Sequence, residues 1–152
     1  MRKPISWYVL VVLFFFLSLG ALFGGWSLMT DPSGGSIQLP LDYIHTSTSP
    51  FNDYLIPGLI LFLFNGIFPL FIIYGFVKRP NISFLQRIIP FKKTHWAWTL
   101  SGILGVGLVL WIVFEIIITQ MYYPPLQLPF AGLGMIIILL TLMPKVKKYF
   151  AK

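Results

Sequence analysis

The sequence predicts an all-α, polytopic membrane protein: an antiparallel four-helix transmembrane bundle with a folded outer loop between helices 1 and 2. Hydrophobic residues make up 57% of the 152-residue chain and charged residues only 10%. An ordinary soluble domain carries about 25% charge to cover its water-facing surface. Four apolar runs divide the chain, each near the roughly 20 residues a helix needs to cross a bilayer. The basic residues flank these runs on one side only. A chain of this length holds a single membrane domain.

The first run, residues 5–28, contains Trp7, the Phe14-Phe15-Phe16 triplet and Gly20, Gly24 and Gly25. Arg2 and Lys3 precede it, so a cleaved signal is the rival reading. The run is long for a signal core, and Leu22 and Phe23 crowd its small residues, which favours a retained span. The second run, 54–77, includes Pro57, Asn65-Gly66 and Pro69. This predicts a kinked helix whose freed carbonyls find donors on neighbours. Ser49 reads as its N-cap, Pro50 as its first helical residue and Asp53 as an anion in its first turn. The third run covers 96–119, and the fourth, 128–143, is ended by Pro144 and short enough to cross with little tilt.

Orientation follows from charge. Arg2 and Lys3 precede the first run, and Lys78, Arg79, Arg87, Lys92 and Lys93 lie between the second and third, in the 78–95 segment. Lys145, Lys147, Lys148 and Lys152 follow the fourth, which accounts for all 11 basic residues. The opposite loops hold Asp31, Asp42 and Asp53. This partition places both termini in the cytoplasm and the chain in the cell (inner) membrane. The net charge of +7 therefore reads as topogenic. From Lys78 to Lys148 these side chains meet anionic headgroups and not nucleic acid.

Trp7, Trp96, Trp98 and Tyr149 are expected at the inner interface, with His95 as a further anchor, and Trp26, Tyr54, Tyr122 and Tyr123 at the outer one. Phe84, Leu85, Ile88 and Ile89, spaced helically around Arg87, predict a segment dipping into the inner headgroup boundary. The Asn81-Ile82-Ser83 sequon lies on that cytoplasmic side, where glycosylation does not occur.

The outer loop, 29–52, opens with the turn-forming Asp31-Pro32-Ser33-Gly34-Gly35. Leu39 to His45 reads as a short helical turn on the membrane, so the loop caps the helix ends. Asp31, Asp42, His45 and Asp53 share one side and offer the oxygen and imidazole groups a divalent cation takes. Their spacing matches no metal motif, and turn and cap roles account for Asp31 and Asp53. No metal or cofactor is expected.

Glu115 stands inside the third span, near its outer end, with Trp111 and Thr119 one turn away on either side. An ionisable residue in a span is a functional candidate by default. Asn65, in the middle of the second span, is expected to hydrogen-bond across the bundle. Gly102, Gly105 and Gly107, with Gly132 and Gly134, are expected to let helices approach closely. The chain has no cysteine, which excludes disulfides and thiol chemistry. It has no Ser-His-Asp pattern, nucleotide loop, His cluster or paired acidic motif.

Gly24-Gly25, the Asp31-Pro32-Ser33-Gly34 turn, Leu39-Pro40-Leu41 and the run from Ser49 through Asp53-Tyr54 to Pro57-Gly58-Leu59 resemble a group of small bacterial four-transmembrane-helix proteins. The match is densest over 24–66, with a looser echo around Trp111 to Thr119. The resemblance implies four spans and a bacterial cytoplasmic membrane, and it carries no activity.

The sequence thus favours a non-enzymatic accessory or scaffold protein that associates with a membrane-protein partner or with itself. The alternative is a protein that binds or transports a small molecule, ion or lipid through an outward-facing pocket around Glu115, Asp31 and Asn65.

Overall fold

The computed structural model describes residues 2–45, 49–91, 93–119 and 124–151. Lys92, Tyr122, Tyr123 and Lys152, assigned above to interfaces or loops, lie outside these residues, as does the Thr119 side chain. Among the described residues the fold is all-helical, with one isolated bridge between Thr94 and Ala151. The helices are α1 (Ile5–Thr30), α2 (Leu55–Lys78), α3 (Ser83–Ile88), α4 (Trp96–Thr119), α5 (Pro124–Leu142) and α6 (Pro144–Phe150). Three of them, α1, α2 and α4, are long and apolar enough to cross a membrane. The bent pair α5–α6 makes a fourth if it counts as one span.

The 64° bend between α5 and α6 has a local cause. Pro144 forces the preceding residue out of helical geometry, and Met143 accordingly sits at ψ 132°. Pro144 then serves as the first residue of α6, where its missing N–H costs nothing. At its other end α5 begins at Pro124, upstream of the expected Leu128, for the same reason.

Helix α2 contains a π segment, Leu61–Ile67, on the N-terminal side of Pro69. Pro69 has no N–H for the carbonyl four residues back, and the wider turn redistributes the ladder. The Ser18 hydroxyl of α1 donates to the Gly66 carbonyl there. A proline-disturbed helix with a carbonyl satisfied by a neighbour was expected, and the π segment is the form it takes. The start of α2 differs from expectation. Tyr54 holds the cap position and Asp53 Oδ1 accepts the Leu55 N–H at 2.9 Å, while Ser49 Oγ turns back to accept the Phe51 N–H.

The long helices meet in a ring, α1 on α2, α2 on α4, α4 on α5, and α5 on α1. Two seams rest on glycine. A Cβ on Gly105 would lie 3.0 Å from the Gly134 carbonyl, and one on Gly25 would lie 2.8 Å from that of Gly58. Gly102 and Gly132, by contrast, face open space or ordinary contact distance, so they do not set a helix approach.

The larger core lies at the basic end, around Phe14, Ile72, Phe76, Trp96, Leu104 and Phe150. Residues expected in a headgroup belt are instead buried here: Trp7, Trp96, Trp98, Tyr149 and His95. Trp7 and Trp96 pack against Phe76 and Phe71 of α2, and α6 folds back under the start of α4. The Phe150 carbonyl accepts the His95 N–H at 2.8 Å, and Trp98 Nε1 donates to the Thr141 carbonyl at 2.8 Å. His95 Nε2 and Trp96 Nε1 both donate to the Pro80 carbonyl, at 3.1 and 2.9 Å. Arg79 caps the arrangement, its guanidinium 4.9 Å from the Tyr149 ring centre. In α3 and the residues after it, Leu85 and Ile89 pack inward, while Phe84 and Ile88 are exposed. The expected four-residue apolar face is therefore divided between core and surface.

Candidate functional site

A second, smaller core closes the opposite end of the molecule, where Leu28, Ile44 and Tyr54 pack with residues of the 31–54 loop. Asp31 organises its first turn. Oδ1 accepts the Ser33 hydroxyl at 2.5 Å, and Oδ2 accepts the Ser36 N–H at 2.7 Å. These donors, the Ser33 hydroxyl first, hold the Asp31 carboxyl below its ordinary value. Gly34 follows at φ +78°, a conformation open to glycine, with its open side filled by the Leu39 carbonyl and the Tyr54 ring. The expected helical turn is a 3₁₀ turn, Leu41–Tyr43. Tyr54 ties the loop down, its hydroxyl donating to the Pro40 carbonyl at 2.7 Å and its N–H to that of Pro32 at 3.0 Å.

Between the two cores the helices part. Helix α2 packs on α4 mainly along Phe68–Lys78, and contact falls away through the π segment. The space left is a cavity of about 530 Å³, walled by α1, α2, α4 and α5 and roofed by the loop. Its volume lies within the roughly 300–1,000 Å³ of small-molecule sites. The wall is mostly apolar and aromatic, including Tyr43, Phe51, Tyr54, Trp111, Phe114 and Phe130.

Three polar side chains from three helices reach this wall: Asn65 of α2, Glu115 of α4 and Gln127 of α5. Glu115 hydrogen-bonds the Gln127 side chain. Asn65 is only 2% exposed, and its Oδ1 has no hydrogen-bond partner. The cross-bundle bond expected of Asn65 is thus not made by this oxygen, although Asn65 is one of the residues that line the cavity. A buried carbonyl oxygen without a donor costs about 1–3 kcal/mol, so the site carries an unmet demand. The π segment that positions Asn65 is a distortion often found at functional sites. Asn65 lies eleven residues along α2 from Tyr54, about 16 Å at helical rise, roughly half the hydrocarbon thickness of a bilayer.

Tyr54 closes the loop side of the cavity, and its phenol is pushed up to about 12, first by burial and then by the negative charges of Glu115, Tyr43 and Asp42.

Of the candidates read from sequence, the structure brings Glu115 and Asn65 to one cavity. It does not bring Asp31, Asp42, His45 or Asp53 there. Asp31 and Asp53 are engaged in the turn and the cap, and His45 Nε2 donates to the Asn52 carbonyl at 2.6 Å. Among the described residues no three His, Asp or Glu side chains gather as a metal site would require. Sequence reasoning missed Gln127, one residue before the expected start of the fourth run, and the roofing Tyr43. A polar residue at the mouth of an apolar run, opposite an acidic one, was the available signal. Comparison with protein families, curated proteins and solved structures returned no match.

Proposed function

We propose that this chain is a four-span, antiparallel helical protein of the bacterial cytoplasmic membrane that binds an amphipathic small molecule in an outward-facing cavity. In this arrangement both termini are cytoplasmic, the 31–54 loop is the outer cap, and the basic end, including Lys78, Arg79, Arg87, Lys145, Lys147 and Lys148, meets anionic headgroups. Kinship with the small bacterial four-helix membrane proteins is part of the proposal.

One observation carries the binding reading: Asn65, whose buried oxygen has no partner, lines an apolar cavity that also holds the Glu115–Gln127 pair. Apolar walls with a few convergent polar groups are the usual makeup of a ligand site. A scaffold protein with no ligand has no use for a cavity whose polar group is left unmet. The groups on the wall can bind and orient, and they do not compose an acid–base pair set against a nucleophile, so binding or transport is favoured over catalysis.

The test is native mass spectrometry of the full chain, gently extracted from its own membrane. The expected result is a retained small molecule that disappears in Asn65→Leu. A chain that emerges without a small molecule, bound instead to a second polypeptide, overturns the binding reading in favour of the accessory or scaffold role.

A further inference from the structure

We infer that the ligand is a lipophilic ammonium, an apolar body bearing a cationic N–H head, with Glu115 as its counter-charge. This rests on the cavity reading above and names its ligand class.

The sign of the site comes first. Among the described residues Glu115 is the only carboxylate on the wall, and no Lys, Arg or His lines it. The described basic side chains belong to the opposite end of the molecule, where Arg79 stacks on Tyr149 and Lys147 lies near Trp98. An anionic head would enter a low-dielectric space with no cation to pair with, beside a carboxylate. A cationic head finds its partner in place.

Hydrogen-bond polarity points the same way. Asn65 Oδ1 is an acceptor without a donor, and the Glu115 carboxylate accepts further bonds beyond that to Gln127. The Tyr54 hydroxyl, one donor near the roof, is already committed to the Pro40 carbonyl. A ligand head that donates N–H groups answers these two acceptors.

The walls agree. Tyr43, Phe51, Tyr54, Trp111, Phe114 and Phe130 supply aromatic surface, which attracts cations through ring faces and buries alkyl chain at the same time. The cavity is lined from the loop to Asn65, which leaves room for an apolar tail.

Equilibrium binding to the purified full chain in neutral detergent tests this, with dodecylamine, dodecanol and dodecanoate as probes of equal tail length. The expected result is at least tenfold tighter binding of the amine than of the alcohol, with dodecanoate weakest. Glu115→Gln removes that preference, bringing the amine to the level of the alcohol, and Glu115→Asp, which keeps the charge, retains part of it. Gly24→Leu, at a cavity position where a Cβ meets only Leu61 at 3.6 Å, weakens all three.

Amine and alcohol bound alike, both weakened by Gly24→Leu, overturn the ammonium assignment and leave the cavity reading standing. Preference for dodecanoate does the same. If Gly24→Leu weakens none of the probes, the cavity reading itself fails and this inference with it. Competition by phosphatidylethanolamine identifies a lipid headgroup as the ammonium source, and its absence identifies a free amine. Both of those outcomes support the charge rule.

Discussion

Replacing Gly34 with alanine removes the support of the loop that roofs the cavity. At φ +78° an alanine sits in the left-handed region, at about 1–2 kcal/mol. Its Cβ also collides with the Leu39 carbonyl and comes to 3.0 Å from the Tyr54 ring. Moving Leu39 away breaks its N–H bond to the Gly34 carbonyl, 2.9 Å long, a loss of about 0.5–1.5 kcal/mol. The sum, about 2–3 kcal/mol, falls on local opening of the loop more than on the helices. Hydrogen exchange reads it directly at the Leu39 and Tyr54 amides, which close the turn onto Gly34 and Pro32. Those two amides are expected to exchange roughly 30- to 150-fold faster in Gly34→Ala, with amides of the basic end unchanged. Gly132→Ala is the control, because a Cβ there meets nothing within 4 Å and alanine is favoured in a helix by about 0.5–1 kcal/mol. Exchange at Leu39 and Tyr54 within twofold of the parent protein would refute the account of the loop as a closed cap hinged on Gly34.

Ser18→Ala removes the donor to the Gly66 carbonyl. It is expected to lower stability by roughly 0.6–1.7 kcal/mol, the range of interhelical bonds in membranes, as a lower midpoint of thermal unfolding. An unchanged midpoint means the π segment satisfies that carbonyl by itself. Tyr54 gives a pH signature. Its folded value of about 12 stands above the ordinary 10.0, so the folded chain keeps a proton that the unfolded chain releases. The resulting stability is full below pH 10 and is lost as pH rises toward 12. Ultraviolet difference titration is expected to show a late tyrosinate component that Tyr54→Phe abolishes. A titration with no late component contradicts the burial of this phenol.

The helices were legible because their cause is local. Continuous apolar runs bounded by Gly, Pro and charge identify them, and α4 begins and ends where its run does. Glu115 was legible for the same reason, as an acidic residue in an apolar window. The fourth helix was misplaced at its start because Pro124, Pro125, Gln127 and Pro129 depress hydropathy. Prolines nonetheless suit a first turn, and Pro129 is carried within α5. That offset hid Gln127, the partner of Glu115. The misread aromatics have a tertiary cause. Trp7, Trp96 and Trp98 carry the signature of an interfacial belt, and packing against other elements buries them, Trp7 on Phe76, Trp96 on Phe71 and Trp98 against Phe91 and Thr141. Asn65 fell between the two cases. Its depth could be counted along the chain, but the parting of α2 from α4 that puts it on a cavity wall depends on contacts far apart in sequence.

The π segment of α2 also bears on how this helix tolerates change in length. Its hydrogen bonds close over one more residue than those of an α-helix, so the halves on either side are set in a register offset by that residue. Gly58 on one side is fitted against α1, and Ile72 and Phe76 on the other are fitted into the core of the basic end. Deleting one residue between Leu61 and Ile67 would let the segment relax to regular α-helix while both halves keep their partners, so such a deletion is tolerated here more readily than elsewhere in α2. It would also turn the Asn65 position away from the cavity. The chain can therefore lose this polar group from the cavity wall by shortening as well as by substitution, and a homologue one residue shorter in this stretch would keep the architecture with a drier, uncommitted interior.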